Sequence, residues 1–235
     1  MKLYYDLHIH TALSPCSSDD MTPNNIVNMS ILKELDVIGI TDHNSTKNCR
    51  ACVEVAKDKD ILVIPGIELQ TIEDVHILCF FKDVDTAEKF DDILDGYRMP
   101  LKNQIDNYGN QMIFDKDDNH VGDYNYPLFL SINITIKKTL EIVKELGGVV
   151  VPSHIDRKSF SIISSLGFIP KDYEIGTLEL SNESKYQEFI KKYPYLSGYK
   201  FIRNSDSHDL FQISEKDNSI EVNEKSIDDI MENLK

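Results

Sequence analysis

Seven short apolar runs punctuate the chain: Leu3–His10, Val37–Thr41, Ile61–Glu68, Val75–Phe81, Val149–His154, Thr177–Leu180 and Phe201–Asn204. Each has the length and composition of a buried strand, and helical segments separate several of them. Thr22 followed by Pro23 opens one helix, on which Ile26, Met29, Leu32 and Leu35 recur on one face. Residues 46–58 read as a second helix. Thr135 opens a third that stops at Gly147–Gly148, Ser159 caps a short one ending at Gly167, and Ser226 caps the last. Alternation of this kind predicts an α/β fold with a parallel sheet covered on its faces, either a barrel or a doubly wound sheet. A chain of 235 residues can bury a sizeable core, so one domain over residues 1–235 is expected. Residues 83–134 break the rhythm. They are polar and acidic, with "DKDDNH" as a turn between "QMIF" and "HVGDY", the pattern of a small hairpin. With too few apolar residues for a core of its own, this segment is predicted to be an insertion on the barrel, placed to fold over the rim as a lid.

The ends of the runs share a second property. In "DLHIH" strand alternation sends Leu7 and Ile9 one way and Asp6, His8 and His10 the other. The second run ends in Asp42 and His43, the third in Glu68, the fifth in His154 and the seventh in Asp206 and His208. His76 is the exception, near the start of its run. This set holds six of the seven histidines of the chain; His120, in the insertion, is the other. In parallel α/β architectures the carboxyl ends of the strands form one rim, and chemistry sits there. A buried network of so many imidazoles and carboxylates would be costly to satisfy without water. Divalent metals satisfy it directly, and neutral imidazole with ionised carboxylate suits zinc, manganese or iron. Six histidines and two carboxylates are too many for one ion and enough for two or three.

Composition narrows the partners. A net charge of −15 repels a nucleic-acid backbone and argues against tight binding of long nucleic acid. A small phosphorylated substrate remains compatible, because bound cations reverse the local sign. No apolar run approaches the length of a membrane span, and the first strand starts too close to Met1 for a signal peptide, so a cytoplasmic protein is expected. Cys49 and Cys52 form a lone "CRAC" with no second pair, which reads as buried thiols on a helix face.

"DLHIHT", "GITDHN", "PGIEL", "HIL", "PSHIDR" and "NSDSH" resemble, in order and spacing, the motifs of the polymerase and histidinol phosphatase (PHP) domain family. The resemblance spans residues 3–208. It implies a distorted seven-stranded (β/α)7 barrel, a cluster of up to three metals and hydrolysis of phosphoesters. By position it implies that His8, His10, Glu68 and Asp206 hold one metal. Glu68 would bridge to a second, held also by His76 and His154, and His43 and His208 would hold the third. The family often places an Asp or His a few residues after "HIHT". Here "ALSPCSSDD" brings Cys16 near that place, with Asp19 and Asp20 slightly later. A thiolate would favour zinc and a carboxylate manganese or iron, and the sequence leaves both open.

The chemistry follows. Two neighbouring cations make a shared hydroxide available near neutral pH, and that hydroxide attacks phosphorus in line with the leaving oxygen. No serine or cysteine nucleophile is needed. Asp6 and Asp42 stand beside ligand histidines and are expected to accept the second imidazole N–H of each. Arg157, with Lys158 as second choice, is the candidate phosphate clamp. The expectation is a metal-dependent phosphoesterase acting on a small phosphomonoester or a short nucleotide. One alternative is an amidohydrolase, whose barrels also carry His-x-His on the first strand. The chain length, the "SDSH" ending and the lack of a bridging lysine argue against it. The other is a metal-binding regulatory module without turnover, against which stands the nearly complete ligand set.

Overall fold

The computed structural model of the chain describes residues 1–102, 109–182 and 184–235. The seven expected strands form, their bounds shifted by a residue or two: β1 (Lys2–Ile9), β2 (Val37–Ile40), β3 (Leu62–Gln70), β4 (His76–Phe80), β7 (Val149–Pro152), β8 (Thr177–Ser181) and β9 (Lys200–Asn204). A hairpin of β5 (Met112–Phe114) and β6 (His120–Asp123) stands where "DKDDNH" predicts a turn, and β10 (Ser219–Glu221) is an addition. The helices are α1 (Pro23–Leu32), α2 (Cys49–Ala56), α3 (Val84–Leu94), α4 (Ile136–Glu145), α5 (Ile162–Leu166), α6 (Tyr186–Lys192) and α7 (Ile227–Leu234). Thr22, Thr135 and Ser226 cap α1, α4 and α7 through their side-chain oxygens. The cap of α5 is Ser161, two residues beyond Ser159. Its hydroxyl accepts the Ser164 N–H while the Ser164 hydroxyl reaches back, a reciprocal box that Ser159 cannot make.

Six strands form one curled sheet in the order β10-β1-β2-β3-β4-β7, so the architecture is α/β with a half-barrel sheet. The expectation of a wholly parallel sheet fails at β4, which pairs antiparallel with both β3 and β7. The reason is the connection. Only Thr71–Val75 separates β3 from β4, and a parallel crossover needs about a dozen residues or more. The turn closes with Thr71 N–H donating to the Val75 carbonyl. This reversal also explains His76: the start of β4 lies at the same rim as the carboxyl ends of its neighbours, paired with Gln70.

Strands β8 and β9 form a separate parallel pair. Two sets of hydrogen bonds flank it. Ile155, just past β7, donates to the Glu179 carbonyl at 2.9 Å, and His10 N–H donates to the Ser207 carbonyl at 3.0 Å. Inside the curl, Leu3, Tyr5 and Leu7 pack with Val37, Ile64, Leu78, Phe80, Val151 and Ile202, and α7 closes the far end with Ile230, Met231 and Leu234. Outside it, α1 and α2 cover Ile38 and Ile40, while α3 and α4 cover Ile67, Ile77 and Cys79. Cys49 and Cys52 are buried on α2, as their spacing predicts.

Strict alternation breaks in β1. Leu7 belongs to the interior cluster, but Ile9 packs outward with α1 and α2. The register shifts between Asp6 and Ile9, a bulge that re-aims the strand end. Gly39 faces it: a Cβ there would meet the Leu7 carbonyl at 2.5 Å.

Within 83–134, α3 contributes Ala87, Phe90 and Leu94 to the outer core. The hairpin docks by Asp118, which accepts the Thr22 hydroxyl and the Asn24 N–H at the start of α1. Residues 103–108 of this segment lie outside the described residues.

Candidate metal centre

His8, His10, His43, Glu68, His76, His154, Asp206 and His208 converge on one end of the curled sheet. Three groups have ligand atoms close enough to share an ion: His8, His10, Glu68 and Asp206; His43, Glu68 and His76; and His10, His43 and His208. His154 adds its Nε2 at 3.1 Å from Glu68 Oε1. Glu68 is thus the hub. One oxygen faces His8 at 3.3 Å and His76 at 3.2 Å, and the other faces His43 at 3.0 Å and His10 at 3.5 Å. Backbone shape helps to aim the set. His154 and Asp206 both have positive φ, at 30° and 53°, a conformation that side chains other than glycine adopt at a cost.

The outer contacts fix which nitrogens point inward. His8 Nδ1 lies 3.0 Å from Glu179 Oε1, so it carries the proton and leaves the Nε2 lone pair for the centre. His10 Nδ1 lies 3.0 Å from Ser14 Oγ, which in turn donates to Asp42 at 2.7 Å. His208 Nδ1 donates to the Asp206 carbonyl at 2.9 Å. With both Nδ1 atoms occupied, His8 Nε2 and His10 Nε2 face each other at 3.1 Å. Asp206 Oδ1 lies 3.2 Å from the first and 3.1 Å from the second. Imidazole nitrogens and carboxylate oxygens thus crowd one another in a buried space, with His43 Nδ1 3.0 Å from Glu68 Oε2. Such a set is satisfied only by positive charge, and its donors fit divalent zinc, manganese or iron.

The titration behaviour says the same. Burial opposes charge on His8, yet Glu179, Asp206 and Glu68 together hold its imidazole well above the usual range. Burial, with His208 and His43 beside it, holds His10 well below. Against burial, His76 and His8 keep Glu68 well below the ordinary carboxylate range, and His8 and His10 do so for Asp206. His43 is pushed up to about 10 despite its burial, by Cys16 and Glu68.

Several expectations change in detail. Asp6 accepts backbone N–H groups, from Ser214 at 2.8 Å, Ser205 at 3.1 Å and His8 at 3.4 Å. It ties β1 to the loop that carries Asp206 and His208, and the contact to an imidazole expected of it falls to Glu179. The bulge in β1 is the cause, because it turns Asp6 away from His8. Asp42 serves His10 through Ser14 and binds Thr11 directly. Arg157 Nη1 donates to Asp206 Oδ2, so its guanidinium already has an anion. Lys158 is exposed. Cys16 faces the centre, its thiol hydrogen-bonded to His208 and His43. Asp19 binds Asn110 instead, and Asp20 is exposed at the start of α1.

Glu179 escaped the sequence reading. It accepts from His8 Nδ1, from the His154 N–H at 2.8 Å and from Asn204 Nδ2 at 2.7 Å, and so joins three strands of the rim. Its signal was visible: a lone carboxylate inside the apolar run "TLELS". The centre opens through two small hollows of 210 and 220 Å³. A larger one, 490 Å³, lies at the opposite end beside α4 and Lys235 and has no histidine or cysteine in its walls.

Comparisons with known proteins agree with this geometry. An uncharacterized protein of Methanocaldococcus jannaschii is 26% identical over 189 residues, covering 80% of this chain and 21% of its own length. The chain therefore spans about a fifth of the curated relative it matches. A lesion-specific endonuclease from Pyrococcus furiosus superposes with a TM-score of 0.72 at 21% identity, over 100% of this chain and 56% of that one. Endonuclease Q in complex with a 27-mer duplex carrying an abasic lesion at its active site gives 0.70 at 20%, with the same coverage. A candidate metal-dependent phosphoesterase from Bifidobacterium adolescentis gives 0.63 at 17%, over 97% of this chain and 94% of its own. At these identities the structural likeness establishes the fold. The model of the PHP domain matches residues 6–213, from Asp6 beside the first histidine pair to Ile213 beyond His208, and the chain belongs to the PHP domain family.

Proposed function

We propose that this chain is a metal-dependent phosphoesterase that hydrolyses a small phosphomonoester or a short nucleotide. The observation that carries the reading is the convergence of His8 Nε2 and His10 Nε2, held 3.1 Å apart against the carboxylates of Glu68 and Asp206. In this reading His8, His10, His43, Glu68, His76, His154, Asp206 and His208 hold two or three ions. Those ions would supply hydroxide near neutral pH and neutralise charge on the phosphoryl group. The chain's own residues do the rest. Glu179 and Ser14 hold the Nδ1 protons of His8 and His10. Arg157 steadies Asp206 and, at 43% exposure, keeps donors for a substrate oxygen.

The same reading covers the architecture. We take residues 1–235 as one unit whose seams at Ile155–Glu179 and His10–Ser207 close seven strands into a distorted barrel, with 83–134 as an insertion beside the rim. No described helix is long and apolar enough to cross a membrane. The unpaired cysteines favour a reducing compartment such as the cytoplasm. Charge alone argued against long nucleic acid, but endonuclease Q takes a duplex on this fold, so the substrate panel includes one.

The test is phosphate release, followed with malachite green after adding manganese or zinc. Wild-type protein should release phosphate from at least one monoester or nucleotide, or cut an abasic duplex, a cleavage that frees no inorganic phosphate and is read on a denaturing gel. The His8→Ala/His10→Ala double variant should lose that activity. Equal release by both proteins would overturn the proposal.

A further inference from the structure

The two hollows beside the centre differ in chemistry. The first is walled by Arg157, Ser159, Asp206 and His208. The second is walled by Pro15, Cys16, Gln70, Phe129 and Phe160. His43, His76 and Phe160 line both, so they adjoin as compartments of one cleft. A phosphoester divides in the same way, into a charged phosphoryl group and an organic remainder. Cation-binding residues and Arg157 suit the first part. The walls particular to the second compartment carry no formal charge at neutral pH apart from the Cys16 thiol.

Phe160 sits at the division. Its ring stacks on His76, with centroids 4.7 Å apart and planes at 17°. Its carbonyl accepts the His76 N–H at 2.8 Å, and its φ is +55°, an outlier for a bulky residue. The residue is nevertheless 38% exposed, so a bulky side chain in a costly backbone conformation keeps part of its surface open at the rim. Pro15 and Phe129 also line this compartment. The amide of Gln70, held by Nε2 donation to Asp74 Oδ1 at 2.7 Å, brings hydrogen-bonding capacity that a base edge can use.

We propose that the second compartment seats the flat heteroaromatic base of a nucleoside phosphoester, stacked against Phe160, so that Phe160 sets a preference for nucleotides over aliphatic phosphoesters. This rests on the phosphoesterase reading for turnover, but the binding of the base is separable from it.

Two arms test it. In the first, wild type and Phe160→Leu are compared on adenosine monophosphate and on glycerol 2-phosphate, with 4-nitrophenyl phosphate as a simple aryl ester. Loss of base stacking should lower kcat/KM for the nucleotide, mainly through KM, roughly 5- to 150-fold more than it lowers kcat/KM for glycerol 2-phosphate. An equal fall on both, carried by kcat, would mean that Phe160 only steadies His76 and would overturn the proposal. In the second arm, adenosine without phosphate is titrated into metal-loaded protein by calorimetry or ligand-observed NMR. Binding to wild type that is lost in both Phe160→Leu and Phe160→Ala supports the base site. No binding to wild type overturns it, whether or not any phosphoester is hydrolysed. Absence of hydrolysis with adenosine still bound would overturn the phosphoesterase reading alone.

Discussion

Ile64 and Glu68 stand four residues apart on β3, both fully buried, and what satisfies one would ruin the other. Around Ile64, in the interior of the curl, Leu3, Leu7, Val37, Leu78 and Phe80 fill space, and nothing there asks for a partner. Around Glu68, the imidazoles of His8, His43, His76 and His154 crowd within 3.0–3.3 Å, and the Asp206 carboxylate stands close by. The interior is stabilised by contact and by apolar area taken from water. The rim is held by the outer hydrogen bonds of its imidazoles, and its centre gathers groups that could hold a metal ion. The same strands therefore build a self-sufficient end and a dependent end, and the two should respond to different perturbations.

The largest expected effect lies in the interior. Phe80 is fully buried in that cluster. Phe80→Ala should cost about 3–5 kcal/mol, since the ring leaves a cavity its neighbours refill only partly. Denaturant melts should show the same loss with and without a chelator. A loss that depended on metal would mean that the two ends are not separable.

Next comes the rim itself. Saturating metal at a hundredfold excess over its dissociation constant should add about 2.7 kcal/mol of stability, and a chelator should remove it. His8→Ala/His10→Ala should abolish that metal-dependent increment, and its metal-free form should melt lower than wild type, because Glu68, Glu179 and Asp206 lose buried partners. A double variant that still melts higher with metal would place the binding elsewhere.

A finer cut tests how the rim is aimed. Glu179→Gln retains size and can still accept from His8 Nδ1, but it loses the full negative charge and faces the His154 N–H with one donor end. Metal affinity should fall about 10- to 100-fold, or roughly 1.4–2.7 kcal/mol, beside a loss of about 1–3 kcal/mol in the metal-free melt from the buried His154 N–H left without an acceptor. An unchanged affinity would reduce Glu179 to a strand tie.

How far the sequence discloses this division depends on the residue. The eight converging residues were legible because each ends, or in one case begins, an apolar run, and parallel strands bring such ends together. His76 looked out of place because a strand's direction is not written in its own letters. It is written in the five-residue connection after β3, too short for a crossover. Asp6 and Asp42 were both assigned to imidazoles by adjacency, and adjacency misled at Asp6 because a bulge changes phase. Glu179 was missed for the opposite reason: its partners are 171 and 25 residues away in sequence, and only the fold brings them near. The strand count illustrates a different boundary, since β8 and β9 meet the sheet by isolated hydrogen bonds that no periodicity announces.

Cys16 gives the smallest effect and the sharpest local view of the rim. Of the four thiols, Cys49, Cys52 and Cys79 are buried and pushed upward by desolvation, whereas Cys16 is exposed. Burial of its sulfur acts upward too, but hydrogen bonds from His208 and His43 bring it down to about 7. Thiolate is the reactive form, so the rate of alkylation by iodoacetamide in metal-free protein should rise with pH through about 7 and level off where an ordinary cysteine is still mostly protonated. Mass spectrometry should find one label per native chain, at Cys16. Added zinc should slow the reaction if the thiolate joins the His10, His43 and His208 group, whereas manganese, a poorer partner for sulfur, should slow it less. Labelling that begins only near pH 9, or that spreads to the buried thiols, would detach Cys16 from the centre and leave the self-sufficient end of the molecule as the softer of the two.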